Sequence, residues 1–129
     1  MRTGRSFWVY PSGSSIASSE SPVCRYFTTP NASFSTHFYS AFPQECNEIL
    51  TLFPGLWTLE TTDAFGVLEP DTVTGACPAG TSPLYRLYNG GPNVNHRYVT
   101  DKDTRDEMLD RNWIPEGYGP MSVGMCVPQ

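Results

Sequence analysis

The sequence holds two histidines, and both occupy the same small frame. His37 lies in STHFYS (35–40) and His96 in VNHRYVT (94–100), each two residues before a tyrosine. An imidazole beside a carboxylate can act as a general base or ligate a metal. Glu60 and Glu116 supply carboxylates, each three residues after a tryptophan. If His37, His96, Glu60 and Glu116 converged, they would form a small hydrolytic centre or share one ion. As a pair for glycoside cleavage, the two glutamates would have to stand about 5–10 Å apart. The competing reading is structural. Each imidazole then hydrogen-bonds inside its own hairpin, and each glutamate forms a bidentate, partly buried pair with Arg25 or Arg86. Recurrence favours the structural reading, because one active site rarely needs every copy of a motif. No catalytic or metal-ligating role is therefore assigned, and no cofactor is expected.

The frame around the histidines extends over most of the chain. Eight positions recur in order: Arg25 with Arg86, Phe27 with Tyr88, His37 with His96, Tyr39 with Tyr98, Glu48 with Glu107, Leu50 with Leu109, Trp57 with Trp113, and Glu60 with Glu116. An ordered match of that kind is the mark of a duplicated unit. The first copy spans 23–68 and the second 77–128, within one domain covering 1–129. FWVYP (7–11) resembles the closing segments FGVLEP and VGMCVP and reads as an additional N-terminal strand. SGSSIASSESP (12–22) reads as a flexible serine-rich connector, with 69–83 as its counterpart.

Each copy must place these residues with short elements. VCRYF and PLYRLY alternate as half-buried strands do, as do STHFYS and NHRYV, with a turn between each pair. The period then changes. Thr100 or Asp101 can cap a helix running to about Arg111, with Met108 and Leu109 on its apolar side. In the first copy Pro43 falls in the first helical turn, where proline is tolerated, and LFPG ends the helix. A final strand carries the tryptophan. The expected fold is α+β, mainly antiparallel β with two short helices, as a pseudo-twofold pair of β-β-α-β units.

Composition bounds the function. The chain has 129 residues, twelve prolines, eleven glycines and a net charge of −5. That charge repels phosphate backbones and makes nucleic acid a poor partner. No apolar run is long enough to span a bilayer. No serine has an elbow-type glycine frame and no glycine-rich phosphate loop is present. MRTGRS followed by FWVYPSG lacks a signal-peptide core and reads as an engineered start or a cut within a larger protein. Asn31 opens an Asn-Ala-Ser sequon, which matters only in a eukaryotic secretory host.

Four cysteines in a loop-rich chain point to an oxidising compartment. They lack the paired spacing of a zinc ribbon and allow three disulfide connectivities. Pairing within copies, Cys24 with Cys46 and Cys77 with Cys126, is the economical choice. The aromatics go beyond what a small core easily absorbs: Trp8, Tyr10, Tyr26, Phe34, Phe38, Trp57, Tyr85, Trp113 and Tyr118. Trp57 and Trp113 suit the core. Trp8, Tyr10 and Tyr118, near glycine- and proline-rich ends, suit exposure and are the ligand-binding candidates, since aromatic faces stack on sugar C–H faces.

YRLYN (85–89), NHRY (95–98), a short helix and WIPEG (113–117) together resemble a repeat family of unknown function in secreted bacterial proteins. Its signature runs Tyr-Arg-Phe-Tyr, His-Phe-Tyr-Thr, Trp-x-x-Glu-Gly. The resemblance covers 23–128. It matches at Arg25, Phe27, His37, Phe38, Tyr39, Trp57 and Glu60, and again at Tyr85, Arg86, Tyr88, His96, Tyr98, Trp113, Glu116 and Gly117. Thr61 replaces the expected glycine and Arg97 the expected aromatic, so the copies need not be equivalent. The resemblance implies an extracellular or periplasmic module of a larger secreted protein, beside hydrolase or protease domains, and carries no settled activity. The leading expectation is an accessory module that binds a polysaccharide or a cell-surface glycan through exposed aromatics. The alternatives are a small extracellular hydrolase using the histidines and glutamates, and a structural or protein-docking module.

Overall fold

Alternation in CRYFT places Cys24, Tyr26 and Thr28 inside and leaves Arg25 and Phe27 half-buried, the two-residue period of a strand with one face on a core. The same logic builds the rest of the computed structural model, which describes residues 6–13 and 20–129. In chain order the elements are β1 (Glu20–Pro22), β2 (Cys24–Thr28), β3 (His37–Ser40), α1 (Pro43–Leu52), β4 (Trp57–Thr61), β5 (Gly66–Leu68), β6 (Thr81–Tyr88), β7 (His96–Val99), α2 (Lys102–Asp110), β8 (Ile114–Glu116) and β9 (Val123–Pro128). The fold is α+β and mainly antiparallel sheet, as expected from the sequence.

Two sheets hold these strands. One runs β3-β2-β4; the other runs β1-β5-β9-β6-β7, with β8 also paired to β6. Strand, strand, helix, strand therefore occurs twice, and in each unit the first strand is flanked by the second and the last. The units differ at their ends. β9 lies against β6 of its own unit and reaches β5 of the other through Leu68 and Cys126, whereas β5 pairs with β1 and not with β2.

One strand expectation and two connector expectations are revised. Segment 7–11 forms a single bridge, Tyr10 to Gly66, and not a strand. Of the expected connector 12–22, residues 14–19 lie outside the described residues, but Glu20–Pro22 form β1 along β5. Thr81–Pro83, in the second connector, likewise belong to β6. Serine- and proline-rich composition gives way here because a backbone beside an open sheet edge gains partners for its polar groups. Pro83 stands where β6 is paired on one edge only, the place a strand tolerates a missing N–H.

Both helix starts follow local chemistry. Pro43 opens α1 in its first turn. Asp101 caps α2, accepting from the Thr104 backbone N–H at 2.9 Å and its hydroxyl at 2.6 Å. Met108 and Leu109 pack on the second unit's core, while the buried residue of α2 is Arg105, which donates to the Met121 carbonyl and lies over the Tyr85 ring. The core has three parts. Val23, Ala41, Val67, Leu84, Met125 and Val127 lie along the large sheet. Tyr26, Phe38, Ile49 and Trp57 fill the first unit, and Tyr85, Leu87, Val99 and Val123 the second. The core thus absorbs Tyr26, Phe38, Trp57 and Tyr85, more aromatics than composition suggested. Cys24–Cys46 ties β2 to α1, and Cys77–Cys126 ties the second connector to β9. Among the described residues no helix is long and apolar enough to cross a membrane.

Candidate functional site

Register explains how the recurring polar residues meet. On the first hairpin Arg25 faces Tyr39 and Phe27 faces His37; on the second Arg86 faces Tyr98 and Tyr88 faces His96. Arginine and histidine are therefore diagonal neighbours across one strand pair, within reach of a third group. β8 brings Glu116 opposite Arg86. On β4 the register shifts between Arg25 and Tyr26, leaving Glu60 as the extra residue of a bulge beside Arg25. The outcome is one trio made twice. Glu60 Oε1 accepts from Arg25 Nε at 2.9 Å and His37 Nε2 at 2.8 Å. Glu116 Oε1 accepts from Arg86 Nε at 3.2 Å and His96 Nε2 at 2.9 Å.

The two trios sit at different depths. Side-chain exposure of Arg25, Glu60 and His37 is 38%, 34% and 41%. For Arg86, Glu116 and His96 it is 9%, 32% and 7%. The difference comes from the first unit, which covers the second trio. Glu45, in the first turn of α1, grips Arg86 with both oxygens, at 2.7 Å to Nη1 and 2.9 Å to Nη2. Arg86 Nη1 also donates to the Tyr39 carbonyl, and its guanidinium lies 4.8 Å from the Phe38 ring centre. The bidentate pair expected within each copy thus forms across the seam, with a glutamate that does not recur. Recurring positions also touch there. The Tyr98 hydroxyl accepts from Tyr39 N–H at 2.8 Å and donates to its carbonyl at 3.2 Å. Tyr39 and Tyr98 rings meet edge-on.

Charge at the seam is fixed by these contacts. Burial opposes the charge on Arg86, but the hydrogen bonds and charge of Glu45, with Glu116, hold it protonated more firmly than an ordinary arginine. Burial pushes Glu45 up, yet the bonds and charge of Arg86 bring it below the usual carboxylate value. Burial likewise opposes ionisation of Glu116, and the His96 hydrogen bond with the Arg86 charge outweighs it. Burial raises the Tyr98 phenol well above its ordinary value. A carboxylate whose folded value is depressed stabilises above its unfolded value and stops doing so as pH falls through the folded one. Denaturant midpoints measured down a pH series should therefore hold steady to about pH 4.3 and drop below it. Glu45→Gln, starting from a lower midpoint, should show a shallower acid decline. An equally steep decline in that variant would remove Glu45 from the explanation.

The seam is hollow. Phe38, Ile49, Trp57 and Leu56 from the first unit and Tyr88, Val94, His96 and Glu116 from the second line a cavity of about 300 Å³, with Glu45, Leu52 and Arg86 at its side. Those last three also border an adjoining hollow of about 380 Å³ with Phe42, Gln44, Glu48, Gly117 and Tyr118. Tyr118 meets Phe42 edge-on, ring centres 4.6 Å apart. Backbone packing holds it there. At Gly119, with φ of +73°, a Cβ would stand 2.2 Å from the Thr74 carbonyl oxygen, and one at Gly75 would stand 2.4 Å from the Tyr118 oxygen. Only glycines allow the two loops this approach.

The residues singled out from sequence thus separate. His96, Glu116 and Tyr118 border the seam hollows. Glu60 borders a different hollow with Phe27, Thr28 and Thr58, so Glu60 and Glu116 do not share one. Trp8 is 74% exposed, and Tyr10 is half-buried on the Gly66 bridge. Glu45, Arg105 and the bordering Phe42 were not singled out. Glu45 aligns with Thr104, so recurrence hid it, and its place in a helical first turn already gave it a reason to be acidic. Among the described residues no group of three or more His, Cys, Asp or Glu side chains is arranged to hold a metal. No family model matches the chain, and neither a curated protein nor a solved structure matches it.

Proposed function

We propose that the chain is an accessory binding module of a secreted protein and that its ligand, a polysaccharide or other cell-surface glycan, lies in the seam between the units. The observation that carries this reading is the pair of adjoining hollows, walled by Phe38, Trp57, Tyr88, Phe42 and Tyr118 and edged by ionised carboxylates. Aromatic walls with a few fixed polar groups are the usual make-up of a small-ligand site, and they suit a sugar ring, with apolar C–H faces and a hydroxyl rim. Two disulfides agree with an oxidising, extracellular setting. The same trio built twice from the same atoms supports duplication of an ancestral unit and fits the motif resemblance to secreted bacterial repeats. Catalysis gains less support. A glycoside-cleaving acid needs a raised pKa, and Glu45 and Glu116 are both lowered.

Sedimentation of the chain with insoluble polysaccharides tests the reading. The parent should co-sediment with at least one polymer. Tyr88→Ala and Tyr118→Ala should each weaken binding about 2- to 10-fold, the worth of an aromatic contact, and Trp8→Ala should leave it unchanged. If the parent stays in solution with every polymer, the reading fails. A loss confined to Trp8→Ala would move the site out of the seam.

A further inference from the structure

We infer that the exposed trio of the first unit, with the hollow beside it, is a binding site for a carboxylated sugar, such as a uronic acid unit of a polysaccharide. The site is separate from the seam, and the inference does not depend on the ligand proposed there.

The second trio shows what this arrangement of side chains holds. Glu116 takes the Arg86 Nε, and the two Nη nitrogens grip a further carboxylate, Glu45, at 2.7 and 2.9 Å. The first trio repeats the first half of that arrangement. Glu60 takes the Arg25 Nε at 2.9 Å, and this is the one hydrogen bond the Arg25 side chain makes among the described residues. The two Nη nitrogens of Arg25 are thus left over, on a side chain that is 38% exposed. A guanidinium held at Nε is already aimed, and a carboxylate matches the remaining fork with two parallel bonds. Glu60 does not bar a second carboxylate, because Arg86 holds two.

The surroundings of the two trios differ, and the difference points to the occupant. The second trio is closed by protein: Val94 beside it packs on the first unit's cluster of Phe38, Ile49 and Trp57. In the first unit Ser35 stands where Val94 does in the second, and Thr58 stands where Ile114 does. Ser35 and Thr58, with Phe27, Thr28, Thr29 and Glu60, border a hollow of about 320 Å³. Fork and hollow therefore meet at Glu60. A protein segment laid over this face would find hydroxyls where the seam has apolar contacts. A sugar ring finds hydroxyl partners there and an aromatic body, Phe27, for its C–H face. Among ligands that carry a carboxylate, this setting favours a sugar acid over an acidic peptide. The chain's net charge of −5 works against any anion, so a preference for an acid over its neutral ester has to come from a local group.

Titration calorimetry of the whole chain with oligomers of galacturonate, mannuronate and glucuronate, each beside its methyl ester, provides the test. A poly-glutamate peptide of equal charge is the protein-like arm. At least one sugar acid should bind about 10-fold tighter than its ester, and tighter than the peptide. Arg25→Met should erase the preference for acid over ester, and the variant should fold, because its trio is more than a third exposed. Arg111→Met, the same charge change at an exposed position just past α2, should keep the preference. No binding of any of the three acids, or equal binding of acid and ester, overturns the inference. So does a preference that survives Arg25→Met or falls equally in Arg111→Met. A peptide that binds as tightly as the best acid would make this face a dock for acidic protein and overturn the sugar. Each of these failures leaves the seam reading standing, because its test turns on Tyr88 and Tyr118.

Discussion

Replacing Arg86 by methionine should lower the stability of the protein by about 3–5 kcal/mol, the cost of leaving a buried charge cluster without its counter-ion. The guanidinium lies between Glu45 and Glu116; it is the chief influence holding Glu45 ionised and, after the His96 hydrogen bond, the next holding Glu116 so. Its loss also removes the contact over Phe38 and the bond to the Tyr39 carbonyl, two of the contacts between the units. The same change at Arg25 should cost about 0–1 kcal/mol, because its trio is more than a third exposed and water takes over the charges. Urea denaturation of the two variants reads the contrast directly. Similar losses at both positions would mean that burial does not distinguish the trios. A double change, Arg86→Met with Glu45→Met, should recover part of the loss, since apolar groups of similar size need no partners and Glu116 still accepts from His96.

The second large effect concerns Cys77 and Cys126. Replacing both by alanine opens a loop between residues 49 apart and should cost about 4 kcal/mol on chain-entropy grounds; the Cys24–Cys46 loop, 22 apart, should cost about 3. Either loss is a large part of the 5–15 kcal/mol that typically holds a domain together, and reductant should lower the thermal midpoint of the parent accordingly. Cys126 lies fully buried on the strand that bridges the two units, so its removal should also lower the cooperativity of unfolding. If the Cys24–Cys46 pair proved the more costly to lose, loop length would not be the governing quantity.

Much of this arrangement was legible in the residues. Alternation gave the hairpins, Asp101 and Pro43 gave the helix starts, and the recurring arginine, histidine and glutamate pointed to a polar trio in each unit. Their legibility has one physical source: each depends on partners a few residues away or on a pattern written twice. What escaped depends on one-off contacts between distant segments. Glu45 has no recurring counterpart, and its bond to Arg86 spans 41 residues. Glu20–Pro22 became a strand because β5 offered an edge, which nothing in ESP announces. The depth of the second trio follows from Phe38, Tyr39 and Glu45 of the first unit standing against Arg86 and His96, a matter of packing between units that no single unit encodes. Within the candidate site, His96, Glu116 and Tyr118 were foreseen as residues of interest, but the hollow that joins them was not, since an empty space has no sequence pattern.

β9 has a bearing on biosynthesis. It stands between β5 and β6, so the large sheet stays split until residue 128 has left the ribosome. Until then β1 and β5 present an unfilled rim to other nascent chains, and Cys77 has no native thiol to meet. Oxidation of that pair therefore waits for β9 to emerge, while Cys24 and Cys46 can couple as soon as both have emerged.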